Sequence, residues 1–237
     1  DGLKVILAEA NKVGGTCLNI GCIPTKCFLS YSENIYSAKK PRKGIEVKDF
    51  LINKSDIYGE KDAVVNKLTA GIEQLLRSYG VELRKEKASF VSPTEVKMGA
   101  DTIKFKNAII ATGSRSIIPK ALFVEGFTVD STYVLNNHEL GKKVVIVGGG
   151  VIGCELAFVL NSMDVEVTII EKLKGILPTE DRDCVRYVES SLKNKGVKIF
   201  TDTSVEKIEK GKLSLSNGDI IEADLCVVAI GRGPNTD

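Results

Sequence analysis

Cys17 and Cys22 are the residues whose type and spacing best suit chemistry. Four residues separate them in the stretch Gly14-Gly15-Thr16-Cys17-Leu18-Asn19-Ile20-Gly21-Cys22-Ile23-Pro24-Thr25-Lys26. The thiolate is the form of cysteine that attacks a disulfide, so a reactive pair needs a site that stabilises it. Pro24 suits the first turn of a helix, where its missing N–H costs nothing. Cys22 then sits at a helix N-terminus, where the dipole and free N–H groups favour an anion and lower the thiol pKa. Asn19 and Gly21 allow a loop tight enough for Cys17 to reach Cys22. Two plainer readings stand beside a redox pair. A structural staple across so short a loop contributes roughly 2 kcal/mol. Half a zinc site wants a second ligand pair at short spacing. His138, the only histidine, is remote, and Cys27, Cys154, Cys184 and Cys226 are scattered in apolar runs. No metal is expected.

The elements that must position this pair follow from periodicity. Lys4 to Glu9 reads as a buried parallel strand, and its terminal acid is placed to accept hydrogen bonds from a ribose. A helix is expected over about Pro24–Ala38, then a loop from Lys39 to Lys54 containing Pro41 and Gly44. From Ser55 to Tyr79 apolar residues recur at helical spacing, with Ser55 as cap, Gly80 as stop and a break near Gly59. Val81 to Phe105 reads as a strand and a hairpin turning at Gly99-Ala100-Asp101. Asn107 to Ala111 is expected to be a buried strand that runs into Thr112-Gly113-Ser114, a small turn that lets a ligand approach the backbone. Ser114 to Lys142 is irregular, with His138 a surface or capping residue.

A second chemical unit is Gly148-Gly149-Gly150-Val151-Ile152-Gly153. It follows the apolar run Val144–Val147 and precedes a helix from Cys154 to Met163. A strand from Glu166 to Ile170 then ends in Glu171. A strand, G-x-G-x-x-G, a helix and an acid about twenty residues on form a dinucleotide fingerprint. Gly148 permits the turn, Gly150 the approach of a pyrophosphate to the helix N-terminus, and Gly153 the close packing of helix on strand. Glu171 points to NAD, because it accepts from the ribose 2′-OH and repels a 2′-phosphate by about 4 kcal/mol per unit charge near 4 Å, a repulsion that Lys172 and Lys174 can soften. Glu180–Lys195 reads as a helix and Val197–Phe200 as a third parallel strand. Val205–Lys210, Lys212–Leu215 and Asp219–Glu222 form an antiparallel meander with turns at Gly211 and Asn217-Gly218. Leu225–Ile230 is a last buried strand, ending at Gly231.

Composition narrows the class. The chain has 237 residues, 43% hydrophobic and 27% charged, the balance of a soluble globular protein. A net charge of +2 argues against nucleic-acid or membrane-surface partners. No apolar run approaches a membrane span, and no signal peptide is read. Six cysteines are too few for a disulfide scaffold in a chain of this size. A reducing compartment is expected, in which a close cysteine pair is more often chemical than structural.

Taken together, GGTCLNIGCIPTK, Ile109–Ser114, GGGVIGCE and AIGRGPNT resemble the pyridine nucleotide–disulfide oxidoreductases along essentially the whole chain. Leu18-Asn19-Ile20 and Ile23-Pro24 are most similar to the dihydrolipoyl dehydrogenase branch. The resemblance implies an α/β fold of two Rossmann-like nucleotide-binding domains. Residues 1–117 would be a partial FAD-binding domain with a redox-active disulfide, and 118–237 an NAD-binding domain with the meander. It implies that Cys17 is the interchange thiol attacking the dihydrolipoyl group, and Cys22 the thiol against the flavin. Lys26 would lie near the flavin N5 and pair with Glu155. Glu9, Gly15, Thr16, Ala88, Thr112, Gly113 and Ser114 would line the FAD site. Gly148, Gly150, Val151, Ile152, Gly153, Glu155, Glu171, Val205 and Gly231 would line the NAD site. Electrons would pass from dihydrolipoamide to the disulfide, to FAD and to NAD. Implied partners are a lipoyl-bearing protein of a 2-oxoacid dehydrogenase or glycine cleavage complex, and a second copy of the full-length protein. The implied compartment is a bacterial cytoplasm or an organelle matrix. Members of the family also have a first strand with its own glycine turn and a dimerisation region with a His–Glu base. Neither is read here, so the chain is expected to be truncated at both ends and inactive alone.

Overall fold

The computed structural model describes residues 2–40, 43–44 and 47–236. β1 (Ile6–Ala8) pairs in parallel with β2 (Glu82–Arg84). Between them run α1 (Gly15–Ile20), α2 (Cys22–Lys39) and α3 (Lys54–Ser78). β1 is shorter than the apolar run that announces it and only half-buried, because among the described residues β2 is its one partner. α3 is unbroken at Gly59. In a helix of 25 residues the ~1 kcal/mol penalty of one glycine is carried by the buried face of Ile57, Tyr58 and Val65. Its cap is Asn53, whose side chain accepts from the Asp56 N–H, rather than Ser55. It stops at Gly80, in the left-handed region at φ 68°. Gly44 lies in a turn, and Pro41 falls outside the described residues.

β3 (Ala88–Ser92), β4 (Glu95–Met98) and β5 (Asp101–Lys104) form the expected antiparallel sheet. The expected strand Asn107–Ala111 does not form. Ile109 is 95% exposed and Ile110 71% exposed, because no described strand lies beside this segment to complete a hydrogen-bonded ladder. β6 (Ser114–Ser116) follows directly. Among the described residues, four elements arise inside the stretch read as irregular: β6 itself, a 3-10 turn (Lys120–Leu122), β7 (Thr128–Val129) and α4 (Ser131–Asn136), which is capped by Asp130.

β8 (Lys143–Val147), α5 (Val151–Ser162), β9 (Glu166–Ile170), α6 (Arg182–Asn194) and β10 (Lys198–Phe200) build the parallel unit the glycine spacing predicts. The meander is β11 (Val205–Glu209), β12 (Lys212–Leu215) and β13 (Ile220–Glu222), and β14 (Leu225–Val228) returns to the sheet. The five parallel strands lie in the order β10-β9-β8-β14-β7. Alternate residues serve its two faces. Val144, Ile146, Val167, Ile169 and Val227 meet Leu156 and Leu160 of α5 and Leu192 of α6. Val145, Val147, Ile170, Cys226 and Val228 meet Ile208, Leu213 and Leu215 of the meander. Phe28 and Ile35 of α2, with Ile57 and Tyr58 of α3, join the helix-side core. The Tyr58 hydroxyl donates to the Val134 carbonyl of α4 at 2.8 Å. β15 (Arg232–Pro234) closes the chain by pairing antiparallel with β6.

Candidate functional site

α1 and α2 meet at Gly21, and their junction carries the two cysteines. Gly21 adopts φ −142° and ψ −113°. A Cβ there would stand 3.0 Å from the Thr16 carbonyl oxygen and 3.2 Å from Cys17 Cα, both backbone atoms, so the close approach of the two helices favours glycine. The Thr25 hydroxyl donates to the Gly21 carbonyl at 2.7 Å and locks the first turn of α2. Asn19 holds the other side. Its Nδ2 donates to the carbonyls of Val13 and Gly15, both at 3.0 Å, and its Oδ1 accepts from Thr69 of α3 at 3.2 Å. The sequence marks Asn19 as a loop former; that it ties α1 to α3 needs the fold.

Cys17 and Cys22 are unbridged and exposed, and they lie within hydrogen-bond reach of each other. The Cys22 thiol is pushed above its ordinary pKa, opposite to the sequence expectation. The hydrogen bond to Cys17 is the largest cause, followed by desolvation and by negative charge on Cys17. The Lys26 charge and the backbone at the head of α2 lower it, but by less. The helix terminus does act on Cys22 as expected; the neighbouring sulfur outweighs it.

Lys26 stands one turn beyond Cys22, and its Nζ lies 2.6 Å from Glu155 Oε1 on α5. The side chains are 57% and 24% exposed, and a pair this open contributes at most ~1 kcal/mol of stability. Its weight is in placement: it joins the dithiol helix to α5, the helix that follows the glycine turn.

At that turn, Gly148 has φ 112°, and a Cβ there would meet the Ala229 carbonyl oxygen at 2.5 Å. A Cβ on Gly153 would stand 2.0 Å from the Gly148 oxygen. Gly150 is different: nothing lies within 4 Å of a Cβ built on it. It is the N-cap of α5, and no side chain caps the helix. The mouth of the turn, with Val151 and Ile152 on the first turn of α5, is therefore open to an anion, which fits a dinucleotide pyrophosphate. Glu171 is 8% exposed. Its Oε2 accepts from Gly149 N and its Oε1 from Leu173 N, each at 2.7 Å, so it fixes the turn itself. Each oxygen keeps a second lone pair for a ligand hydroxyl. The middle glycine, Gly149, has no assigned part in the sequence reading, yet a Cβ there would meet Ile176 Cγ2 at 2.7 Å. Val205 opens β11 and packs on the meander-side core, and Gly231, exposed at φ 140°, follows β14.

The residues expected at a flavin are spread more widely. Glu9 is half-buried after β1, and its Oε1 accepts from Asn11 N at 2.8 Å. Gly15 has φ 68° with open space around it, and Thr16 follows in α1. Ala88 is exposed on β3 opposite Met98. The turn Thr112-Gly113-Ser114 is held from the far end of the chain. Asn235 N donates to the Gly113 carbonyl and Asn235 Nδ2 to the Thr112 carbonyl, both at 3.0 Å. Arg232 donates to Ser114 Oγ at 2.9 Å, Ser116 Oγ at 3.2 Å and the Ser114 carbonyl at 2.6 Å. Arg232 and Asn235 carry no sequence signal beyond their motif; pairing of β6 with β15 reveals them. Small side chains and a left-handed Gly113 at φ 74° leave the backbone approachable, which fits a flavin nucleotide. His138 is exposed, edge-on to Tyr58 at 5.8 Å.

A profile of the pyridine nucleotide-disulphide oxidoreductases matches residues 1–237. Similar proteins include a dihydrolipoyl dehydrogenase of Acholeplasma laidlawii, 39% identical over 99% of this chain and 73% of that protein. Another, from Staphylococcus aureus, is 40% identical over 100% of this chain and 53% of that protein. Among solved structures, a HOCl-induced flavoprotein disulfide reductase, RclA from Escherichia coli, superposes with TM-score 0.82 at 29% identity, covering 100% of this chain and 53% of that one. LpdA from Mycobacterium tuberculosis gives TM-score 0.86 at 21% identity over 100% of this chain and 54% of that one, a likeness of fold. The chain spans about half the length of the staphylococcal relative and of both structures. With its dithiol loop, glycine turn and α/β fold, the chain belongs to the pyridine nucleotide–disulphide oxidoreductase family, whose members use FAD and NAD.

Proposed function

We propose that the full-length protein is an NAD-dependent dihydrolipoyl dehydrogenase acting on the lipoyl group of a 2-oxoacid dehydrogenase or glycine cleavage complex, as a homodimer. The observation that carries this reading is Lys26 on Glu155, which brings the dithiol helix against the dinucleotide turn. In the oxidising direction a thiolate of dihydrolipoamide bonds to Cys17 Sγ, the Cys17–Cys22 bond breaks and Cys22 leaves as thiolate. The second substrate thiol, losing its proton, then displaces Cys17, giving lipoamide and the dithiol. In the reverse direction Cys17 is the attacking thiol. Bound FAD supplies the two-electron relay between this dithiol and the nicotinamide.

The chain's own residues orient that exchange. Lys26 puts a positive charge near Cys22 and favours its thiolate. Glu155 holds Lys26 in place. Glu9, Gly15, Thr16, Ala88 and Thr112–Ser114 receive the flavin nucleotide. Gly148, Gly150, Val151, Ile152 and Gly153 receive the NAD pyrophosphate, Glu171 the adenosine ribose, and Val205 and Gly231 the rest of the cofactor. This assigns residues 1–117 to the flavin and 118–237 to NAD. Among the described residues no helix is long and apolar enough to cross a membrane. The test is lipoamide-dependent NADH formation by the full-length protein and its Cys17→Ser variant. Turnover that the substitution abolishes supports the reading; full turnover in Cys17→Ser ends it. The likeness to a flavoprotein disulfide reductase favours a second reading, reduction of a different disulfide. A substrate panel with NADH as donor separates the two.

A further inference from the structure

α2 and α5 lie side by side in parallel, so their N-termini, with Cys22 on one and Gly150 beside the other, face the same end. Two parallel helix dipoles side by side oppose this arrangement. The apolar contacts between the helices are non-directional and do not by themselves fix how far one slides along the other. Polar contacts do, because hydrogen bonds are directional and short. They recur along one side of α2. Ser32 Oγ, 2% exposed, accepts from Ser162 Oγ, 0% exposed, at 2.9 Å. The Tyr36 hydroxyl lies 2.8 Å from Asn161 Oδ1 and 3.1 Å from the Phe158 carbonyl oxygen. Lys39 Nζ donates to the Ser162 carbonyl at 2.8 Å and to Asp164 Oδ1 at 2.6 Å. Lys195 of the α6 C-terminus lies 4.7 Å over the Tyr36 ring. Burying two hydroxyls where an apolar pair would fit is the kind of contact that specifies register rather than adding stability.

We propose that this ladder sets the axial register of the dithiol helix on the dinucleotide helix, with Tyr36 as its central positioning residue, and so holds Lys26 against Glu155. Tyr36 acts from about 15 Å away, ten residues along the helix at ~1.5 Å each. A slip of one residue breaks the rungs, and a slip of one turn, about 5.4 Å, removes Lys26 from Glu155 altogether. This rests on the function proposed above, in which that pair stands where the two cofactors meet.

The test uses the full-length protein, Tyr36→Phe, and Tyr36→Phe combined with Ser162→Ala. Two properties are read: hydrogen–deuterium exchange of the α2 amides without added nucleotide, and flavin reduction by NADH and by dihydrolipoamide in separate stopped-flow experiments. Loss of the hydroxyl should speed exchange between Lys26 and Tyr36 and slow the NADH half-reaction about tenfold, the scale of one lost hydrogen bond. The dihydrolipoamide half-reaction and the KM for NAD should stay within about twofold, since Cys22 and Lys26 shift together on α2 and keep their places relative to each other, and the pyrophosphate turn is not touched. Equal slowing of both half-reactions overturns the proposal, since it marks a general loss of structure. So does unchanged α2 exchange. If the unsubstituted protein reduces its flavin with neither donor, the functional reading falls on its own, and faster exchange in Tyr36→Phe still upholds the register.

Discussion

Gly153→Ala tests whether packing at the dinucleotide turn has the tolerance the geometry assigns it. The added Cβ would stand 2.0 Å from the Gly148 carbonyl oxygen, while ordinary contact begins near 3.4 Å, so about 1.4 Å must be found. Neither side yields easily. Gly148 is held by its N–H to the Ile170 carbonyl at 2.8 Å, and Ile146 Cγ2 lies 3.3 Å from the same Cβ position. Forced overpacking of this kind costs about 3 kcal/mol, and alanine's helix propensity returns about 1 kcal/mol. The net loss of about 2 kcal/mol lowers the melting temperature by about 4–8 °C in a protein of this size. Calorimetry of the variant reads that shift, and NAD titration should show weaker binding because the head of α5 has moved. Gly150→Ala is the control. Its backbone is extended at φ −74°, ψ −173°, and nothing lies within 4 Å of the new Cβ, so melting should be unchanged while the methyl intrudes on the approaching pyrophosphate. A Gly153→Ala protein that melts and binds NAD like the original would refute the packing argument. A Gly150→Ala protein that binds NAD normally would refute the placement of the pyrophosphate.

Three further outcomes follow from the same geometry. Cys17→Ser removes the thiol hydrogen bond, the largest cause that raises the Cys22 thiol, and the Cys17 charge, while desolvation remains, so alkylation of Cys22 by iodoacetamide should move to lower pH; a profile that stays put or moves up contradicts this. Burial pushes Cys226 up to about 12 from an ordinary 9.0, so the folded state keeps this proton after the unfolded chain has released it. Its stabilisation is complete below pH 9 and declines by about 1.4 kcal/mol per unit as pH rises toward 12. Denaturant midpoints between pH 9 and 10.5 should therefore fall less steeply in Cys226→Ala, and equal slopes would count against it. Glu171→Ala strands the buried Gly149 N–H at a cost of about 1–3 kcal/mol and leaves the Leu173 N–H, on an exposed residue, to water, whereas Glu171→Gln keeps one acceptor for the turn and chiefly narrows the preference for NAD over NADP. Urea midpoints and the ratio of kcat/KM for the two nucleotides separate the two effects.

What the sequence revealed tracks the range of the forces involved. The β8–α5–β9 unit was legible because its glycines obey local sterics and its apolar runs are long. The meander was legible because Gly211 and Asn217-Gly218 dictate turns. The close approach at Gly21 was visible for the same reason, but the stretch read as a loop is helical: α1 runs through Cys17 to Ile20 and leaves Gly21 alone between the helices. Where the outcome depended on distant partners, the pattern misled or fell silent. Asn107–Ala111 has the composition of a buried strand, yet a strand is a ladder and needs a neighbour. Gly59 has the composition of a break, yet buried neighbours in α3 override it. β7, two residues long, and α4, six residues long, are below the length at which periodicity speaks. The direction of the Cys22 shift depends on where the Cys17 sulfur comes to rest, which spacing alone leaves open. The polar ladder from α2 to α5 joins residues more than a hundred positions apart, and none of its serines or tyrosines is distinctive by type.

The pairing of β6 with β15 has a consequence for how this chain can be cut and rejoined. The backbone enters the five-stranded unit through Ser114–Ile117 and leaves it through Gly231–Pro234, and these segments are so close that Ile117 N donates to the Gly231 carbonyl at 3.0 Å. Everything between is a cassette with a single doorway. Such a cassette can be exchanged for that of a relative without stretching either flank, provided the graft carries Arg232 and the serines it clasps. The helix-side core sets the harder condition: Phe28, Ile35, Ile57 and Tyr58 reach into the cassette from outside. A chimera will fold only as well as the incoming α5 and α4 receive those four side chains, so the doorway decides where to cut and the borrowed core decides what may be pasted.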